Sequence, residues 1–140
     1  MGFSSAPNPK EFQATVWEIA RLIPVGNVST YGQISSMIPP PGSLTLKDYE
    51  AFGPRWVGGA MANCPADVPW HRVINAQGKI SSRPGAGQQK LLLLKEGITF
   101  DEKDRINFDL FGWTGPQPEW CRAHGLFTPK PLGRFQPPLF

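Results

Sequence analysis

The side chains able to do covalent chemistry in this sequence are few. There are two cysteines, Cys64 and Cys121, and two histidines, His71 and His124. A thiol becomes a nucleophile when a neighbouring base or cation favours its thiolate. Cysteine and histidine at tight spacing hold zinc, and Cys121-x-x-His124 has such spacing. The other pair lies far upstream, and His71 has a better assignment beside Trp70, so no metal and no cofactor is expected. The chain has no Gly-rich phosphate loop, no convincing carboxylate pair and no serine nucleophile motif. The most specific segment is Val68-Pro69-Trp70-His71-Arg72-Val73-Ile74, which sets an indole beside an imidazole and a guanidinium. An indole stacks and donates one N–H but is a weak nucleophile. By itself Trp70 reads as a space-filling core residue. Arg55 offers a flat cationic head that stacks and donates hydrogen bonds together. Close after it stand Gly58, Gly59 and Ala60, where two glycines inside a helix cost about 1 kcal/mol each relative to alanine. Such glycines serve either close helix packing or close approach of a ligand, and the pair alone favours packing.

These residues must be positioned by a small domain. The 140 residues carry 14 Lys+Arg and 11 Asp+Glu, a net charge of +3, which is compatible with nucleic acid but does not establish it. Fifteen glycines and 16 prolines make the chain loop-rich, yet 40% hydrophobic residues are too many for a disordered one. Two cysteines do not make a disulfide framework, so a reducing compartment is expected. No apolar run reaches the roughly 20 residues of a membrane span, and the N-terminus lacks a basic region followed by an apolar stretch. A soluble intracellular domain follows as the expectation.

The pattern predicts four helices. The first is capped by Asn8, begins at Pro9 and buries Phe12, Val16, Ile19, Ala20 and Ile23 on one face. Pro24 stops it. The second begins near Thr30, where Thr30 and Gln33 have capping-box spacing, and ends before Pro39-Pro40-Pro41-Gly42. Residues 39–50 read as loop, with at most one helical turn near Lys47–Ala51. The third helix runs from Gly53 or Pro54 to Asn63. The second and third could form a helix-turn-helix, though their connection is longer than usual. Residues 72–74 and 79–81 read as a hairpin, followed by a Pro/Gly loop over Ser82–Gly87. The fourth helix spans about Ala86 to Glu96, stopped by Gly97, with Leu91 to Leu94 and Ile98 buried. Residues 98–100 and 106–110 read as a second hairpin. From Trp113 the chain holds six prolines and reads as an extended tail.

With these elements in order, the sequence resembles the O6-alkylguanine-DNA alkyltransferases. That family carries Pro-Cys-His-Arg-Val-Ile, and here Trp70 stands where its acceptor cysteine does. The substitution is similar to that of the alkyltransferase-like proteins, which bind alkylated DNA without repairing it. The resemblance covers residues 12 to about 98. It includes Val28-Ser29-Thr30-Tyr31-Gly32-Gln33-Ile34, Arg55-x-Val57-Gly58-Gly59-Ala60-Met61 and the Leu-rich helix ending Glu96-Gly97. The stretch between Met37 and Arg55 is longer than the family's usual connection, and the tail lies outside its shared core.

The resemblance implies an α+β, mainly helical fold: a winged helix-turn-helix domain like the alkyltransferase C-terminal domain, with short β-hairpins. The domain would span 9–112, with an insertion at about 39–54 and a Pro-rich tail at 113–140. It implies a non-enzymatic protein that binds O6-alkylguanine in duplex DNA through the minor groove. The base would be flipped into a pocket and flagged for nucleotide excision repair. Tyr31 would crowd a phosphate and help rotate the nucleotide. Arg55 would fill the vacated stack, and Gly58, Gly59 and Ala60 would let the helix lie deep in the groove. Trp70 would line the pocket and Arg83 would contact the modified base, with a solvated loop arginine an equal reading. His71 and Glu96 would support the pocket as a hydrogen-bonded pair. The partners implied are double-stranded DNA and nucleotide excision repair proteins, with no membrane and a monomeric state. The compartment would be the nucleus in a eukaryote and the cytoplasm or nucleoid in a bacterium. Two rivals remain: a suicidal alkyltransferase using a displaced cysteine, and a helix-turn-helix regulator reading sequence in the major groove.

Overall fold

The computed structural model describes residues 8–130 and Leu132. Its first helix, α1 (Pro9–Ala20), follows the apolar spacing, with Phe12, Val16, Ile19 and Ala20 buried. The expected Asn8 cap is absent. A capping side chain reaches the first-turn amides from an extended backbone, whereas Asn8 is left-handed (φ 50°, ψ 62°) and makes no such bond. Among the described residues only its carbonyl is engaged, accepting from the Phe12 amide at 3.0 Å.

A two-residue strand, β1 (Ser29–Thr30), leads directly into α2 (Tyr31–Met37). Here the expected cap forms: the Thr30 hydroxyl accepts from the Gln33 amide at 3.0 Å. The Gln33 side chain is used elsewhere. It donates to the Trp113 carbonyl at 2.9 Å and accepts from the Ser29 hydroxyl at 2.6 Å.

The third helix differs most from expectation. α3 spans Leu46–Ala62, so it starts about two turns before Gly53 and takes in residues 46–50 of the stretch read as loop, where a single turn was expected. Thr45 caps it, accepting from the Asp48 amide at 3.1 Å, and Pro54 sits inside rather than at the start. Packing overrides the proline. Tyr49 and Trp56 from α3 surround Phe12 of α1, with Phe12 edge-on to Trp56 at 5.9 Å. The Tyr49 hydroxyl donates to the Ser35 carbonyl of α2 at 2.8 Å. At Gly53 a Cβ would lie 3.0 Å from the Tyr49 ring and 3.1 Å from Ser35 Cβ, so α3 rests directly on α2.

After a single 3-10 turn, Trp70–Arg72, the strand β2 (Val73–Ile74) pairs with β1 in parallel, Ser29 opposite Val73 and Thr30 opposite Ile74. The expected hairpin of 72–74 with 79–81 is therefore reduced to a turn, in which the Asn75 amide donates to the Lys79 carbonyl at 3.0 Å. The second expected hairpin does not form either. The Ile106 amide donates to the Gly78 carbonyl at 2.8 Å, and Phe108–Phe111 coils into a short helix, α5. Asn107 caps it by accepting from the Asp109 amide at 2.8 Å, which ends any extended run.

Helix α4 (Ala86–Lys95) is where the sequence put it, with Gly97 at φ +90° beyond its end. Only part of its leucine run is buried: Leu93 and, beyond the helix, Ile98 are covered, while Leu91 and Leu94 are exposed. The stretch read as an extended tail also folds back. The Trp113 amide donates to Val28, α6 (Pro118–Ala123) buries Cys121 in the main core, and the Phe127 amide donates to Met37. Residues 131 and 133–140 of that stretch lie outside the described residues.

The result is a main core among α1, α2 and α3 and a smaller one of Val28, Ile74, Leu93, Ile98 and Ile106. The expected mainly helical fold is the one observed, with α3 packed directly on α2, while the short hairpins expected beside it are replaced by one parallel strand pair.

Candidate functional site

Glu96, at the end of α4, is the hub of the site. Its carboxylate receives both Nε and Nη2 of Arg72, at 3.0 and 2.8 Å, and the Gly26 amide at 3.1 Å. His71 Nε2 lies 2.7 Å from Glu96 Oε2. Burial opposes the charged form, but Arg72, His71 and the Gly26 amide outweigh it and hold the carboxyl down to about 2. Arg72 also donates Nη1 to the Ile23 carbonyl at 2.8 Å, tying the turn to the end of α1. Trp70 opens this turn, half-buried on the main core, with its ring edge-on to His71 at 6.0 Å. The expected His71–Glu96 pair is thus present beneath Trp70.

The exposed face of α3 is built in another way. Arg55 is exposed and makes no ion pair among the described residues. A Cβ added at Gly58 or Gly59 would meet nothing within 4 Å. Helix packing therefore does not account for these two glycines; their surface is open to a partner. Ala60 does not join them. It is fully buried, and its carbonyl accepts from Trp17 Nε1 at 2.8 Å, so it packs α3 on α1 instead of facing outward.

Tyr31 is the first residue of α2 and packs on the main core. Its hydroxyl is buried without a hydrogen-bond partner among the described residues. Reaching a phosphate would require the ring to turn outward. Arg83 is half-buried in the loop before α4 and makes no ion pair among the described residues.

The agreement with a known family extends well beyond the Pro69–Ile74 segment. The family model "6-O-methylguanine DNA methyltransferase, DNA binding domain" matches residues 11–98. The chain belongs to this family. Within it, the chain is 37% identical over 106 residues to a DNA base-flipping protein of Vibrio parahaemolyticus, covering 74% of this chain and 96% of that protein. It is 39% identical over 93 residues to Alkyltransferase-like protein 1 of Schizosaccharomyces pombe, covering 63% and 77%. The crystal structure of S. pombe Atl1 in complex with damaged DNA containing O6-carboxymethylguanine shares the fold. Its TM-score is 0.55 at 33% identity, covering 74% of this chain and 95% of that one.

For a member of this family the state of the two thiols matters. Burial pushes both Cys64 and Cys121 upward, which favours the protonated, unreactive thiol. His71, the base nearest Trp70, is engaged with Glu96. His124 stacks on Trp120 at 4.0 Å and bonds the Trp120 carbonyl, so the tight Cys-x-x-His spacing serves α6 itself. Among the described residues no three His, Cys, Asp or Glu gather as a metal would need.

Two residues of the site escaped the sequence reading. Arg72 stood inside the quoted motif, but nothing local says that its partner is 24 residues away. Gln89 was not singled out, because only the leucines of its helix were expected to be buried. It is 1% exposed and holds the backbone of the Trp70 turn.

Proposed function

We propose that this protein is a non-enzymatic sensor of alkylation damage in DNA. It binds duplex DNA through the minor groove with the exposed face of α3 and bends it. It turns O6-alkylguanine out of the stack into a pocket walled by Trp70. Arg55 fills the gap, and Gly58 and Gly59 let the helix approach the groove floor. Arg83 contacts the modified base, and Tyr31 swings out to press on the phosphate. The alkyl group stays on the DNA, and the monomeric protein on its bent duplex marks the site for nucleotide excision repair proteins inside the cell.

The observation that carries this reading is Trp70 on a turn anchored by His71, Arg72 and Glu96. A flipped base loses its stacking partners, and an aromatic wall offsets part of that loss. The damaged-DNA complex of the S. pombe relative supports the ligand class. The upward-shifted thiols support a protein that does not take the alkyl group.

The test is a titration of two duplexes that differ only in one guanine or O6-methylguanine, with a fluorescent reporter base beside it. Lesion-dependent binding with a rise in reporter fluorescence is expected, and the affinity should fall as salt rises. Equal binding to both duplexes would reduce the protein to a general DNA-binding module. Trp70→Ala should blunt the preference for bulky alkyl groups; unchanged selectivity would remove Trp70 from the pocket.

A further inference from the structure

We infer that Gln89 is the positioning residue that sets the Trp70 turn, and through it the discrimination between alkylated and plain guanine. The inference rests on the reading of Trp70 as the wall of the lesion pocket. Gln89 lies on the buried side of α4 and is 1% exposed. Its Nε2 donates to the His71 carbonyl at 3.2 Å and to the Val73 carbonyl at 3.1 Å. These carbonyls flank Arg72, immediately after Trp70. Two helical turns further along α4, Glu96 grips the side chains of His71 and Arg72. One helix therefore holds the segment by its backbone and by its side chains at separate points.

The other half of the amide makes the case. Gln89 Oε1 is buried with no hydrogen-bond partner among the described residues. Leaving a buried acceptor unpaired is costly, and an apolar side chain would fill the space without that cost. What a glutamine adds here is its N–H donors, and both are aimed at the turn. Among the described residues the Trp70 side chain makes no hydrogen bond that would fix its ring; its direction follows from the backbone of residues 70–73.

The experiment compares the wild-type ratio of affinities for O6-methylguanine and guanine duplexes with the ratios of three variants, alongside their melting temperatures. Gln89→Met keeps the length and removes the donors; the ratio should fall about tenfold. Leu93→Ala removes a fully buried side chain from the same helix that bonds nothing in the turn. It should lower the melting temperature and leave the ratio within about twofold. Gln89→Lys supplies donors and no acceptor, and should keep the ratio within about threefold of wild type. An unchanged ratio in Gln89→Met overturns the inference, as does an equal loss in Leu93→Ala. Should Gln89→Met not fold, a collapsed ratio in folded Gln89→Lys overturns it and a retained ratio supports it. A wild-type ratio near one would instead overturn the lesion reading, and this inference with it.

Discussion

The two parts of the proposed DNA-facing surface are built on opposite plans. Around Trp70 the polar groups are tied down: four donor atoms of three residues converge on one carboxylate, and Gln89 holds the backbone behind it. Along the outer face of α3 there is an exposed Arg55 and two glycines with open space above them. Binding and folding are therefore coupled in the first region and separable in the second. On the proposed reading, a pocket that selects a base must keep its shape, which a braced wall provides. A face proposed to enter a groove needs room and a cation, and neither is tied into the packing of the free protein.

The largest effect should come from breaking the braced region at its hub. Glu96→Gln leaves Arg72 without its carboxylate and should cost about 2–4 kcal/mol of stability, with lesion binding lost alongside. Denaturation curves in urea would report it. The same hub predicts a pH dependence. Because the folded-state pKa is lowered to about 2 from 4.5, its stabilisation is complete above the ordinary carboxylate range and disappears as pH falls toward 2. In Glu96→Gln that acid-side loss should be weaker.

Next in size is Arg55→Ala. It should weaken lesion binding by about thirtyfold, corresponding to about 2 kcal/mol, while the melting temperature stays near that of wild type. A melting temperature that fell together with binding would erase the contrast between the two regions.

Glycine substitutions sharpen the contrast further. Gly59→Ala meets nothing within 4 Å and gains helix propensity, so it should stabilise the free protein by up to about 1 kcal/mol and still weaken DNA binding. Gly53→Ala, in the same helix, runs into the Tyr49 ring and Ser35 Cβ. Tyr49 is pinned by its hydrogen bond to Ser35, so that variant should be destabilised. Thermal melts of the pair would show opposite signs.

The smallest effect on DNA binding concerns the helix start. Thr45→Ala removes the cap of α3 and should cost about 1 kcal/mol with little change in lesion selectivity.

What was legible in the sequence was local. The spacing of Phe12, Val16 and Ile19, the Thr30 cap and the Gly97 stop all describe contacts within one or two turns, and all three are present. Elements set by distant partners were not legible. β2 pairs with a strand 44 residues earlier, so a nearby hairpin looked more natural than the parallel pair. Pro54 read as a helix start because its cost is visible locally, while the Phe12–Tyr49–Trp56 packing that offsets it is not. Cys121 and its helix looked like a tail because prolines dominate the stretch, yet the side chain fills the main core. At the site, the motif residues and the His71–Glu96 pair were readable. The inward direction of Ala60 and the grip of Gln89 depend on which way a helix faces, and no short window encodes that.

The most direct test of the central claim is to hold the protein with excess duplex carrying a single O6-methylguanine, and then weigh both. The account predicts a protein of unchanged mass on a duplex that still carries its methyl group, after lesion-dependent binding has been seen in the same sample. A gain of one methyl group on the protein, mapped to Cys64 or Cys121, would contradict it and make the chain a transferase.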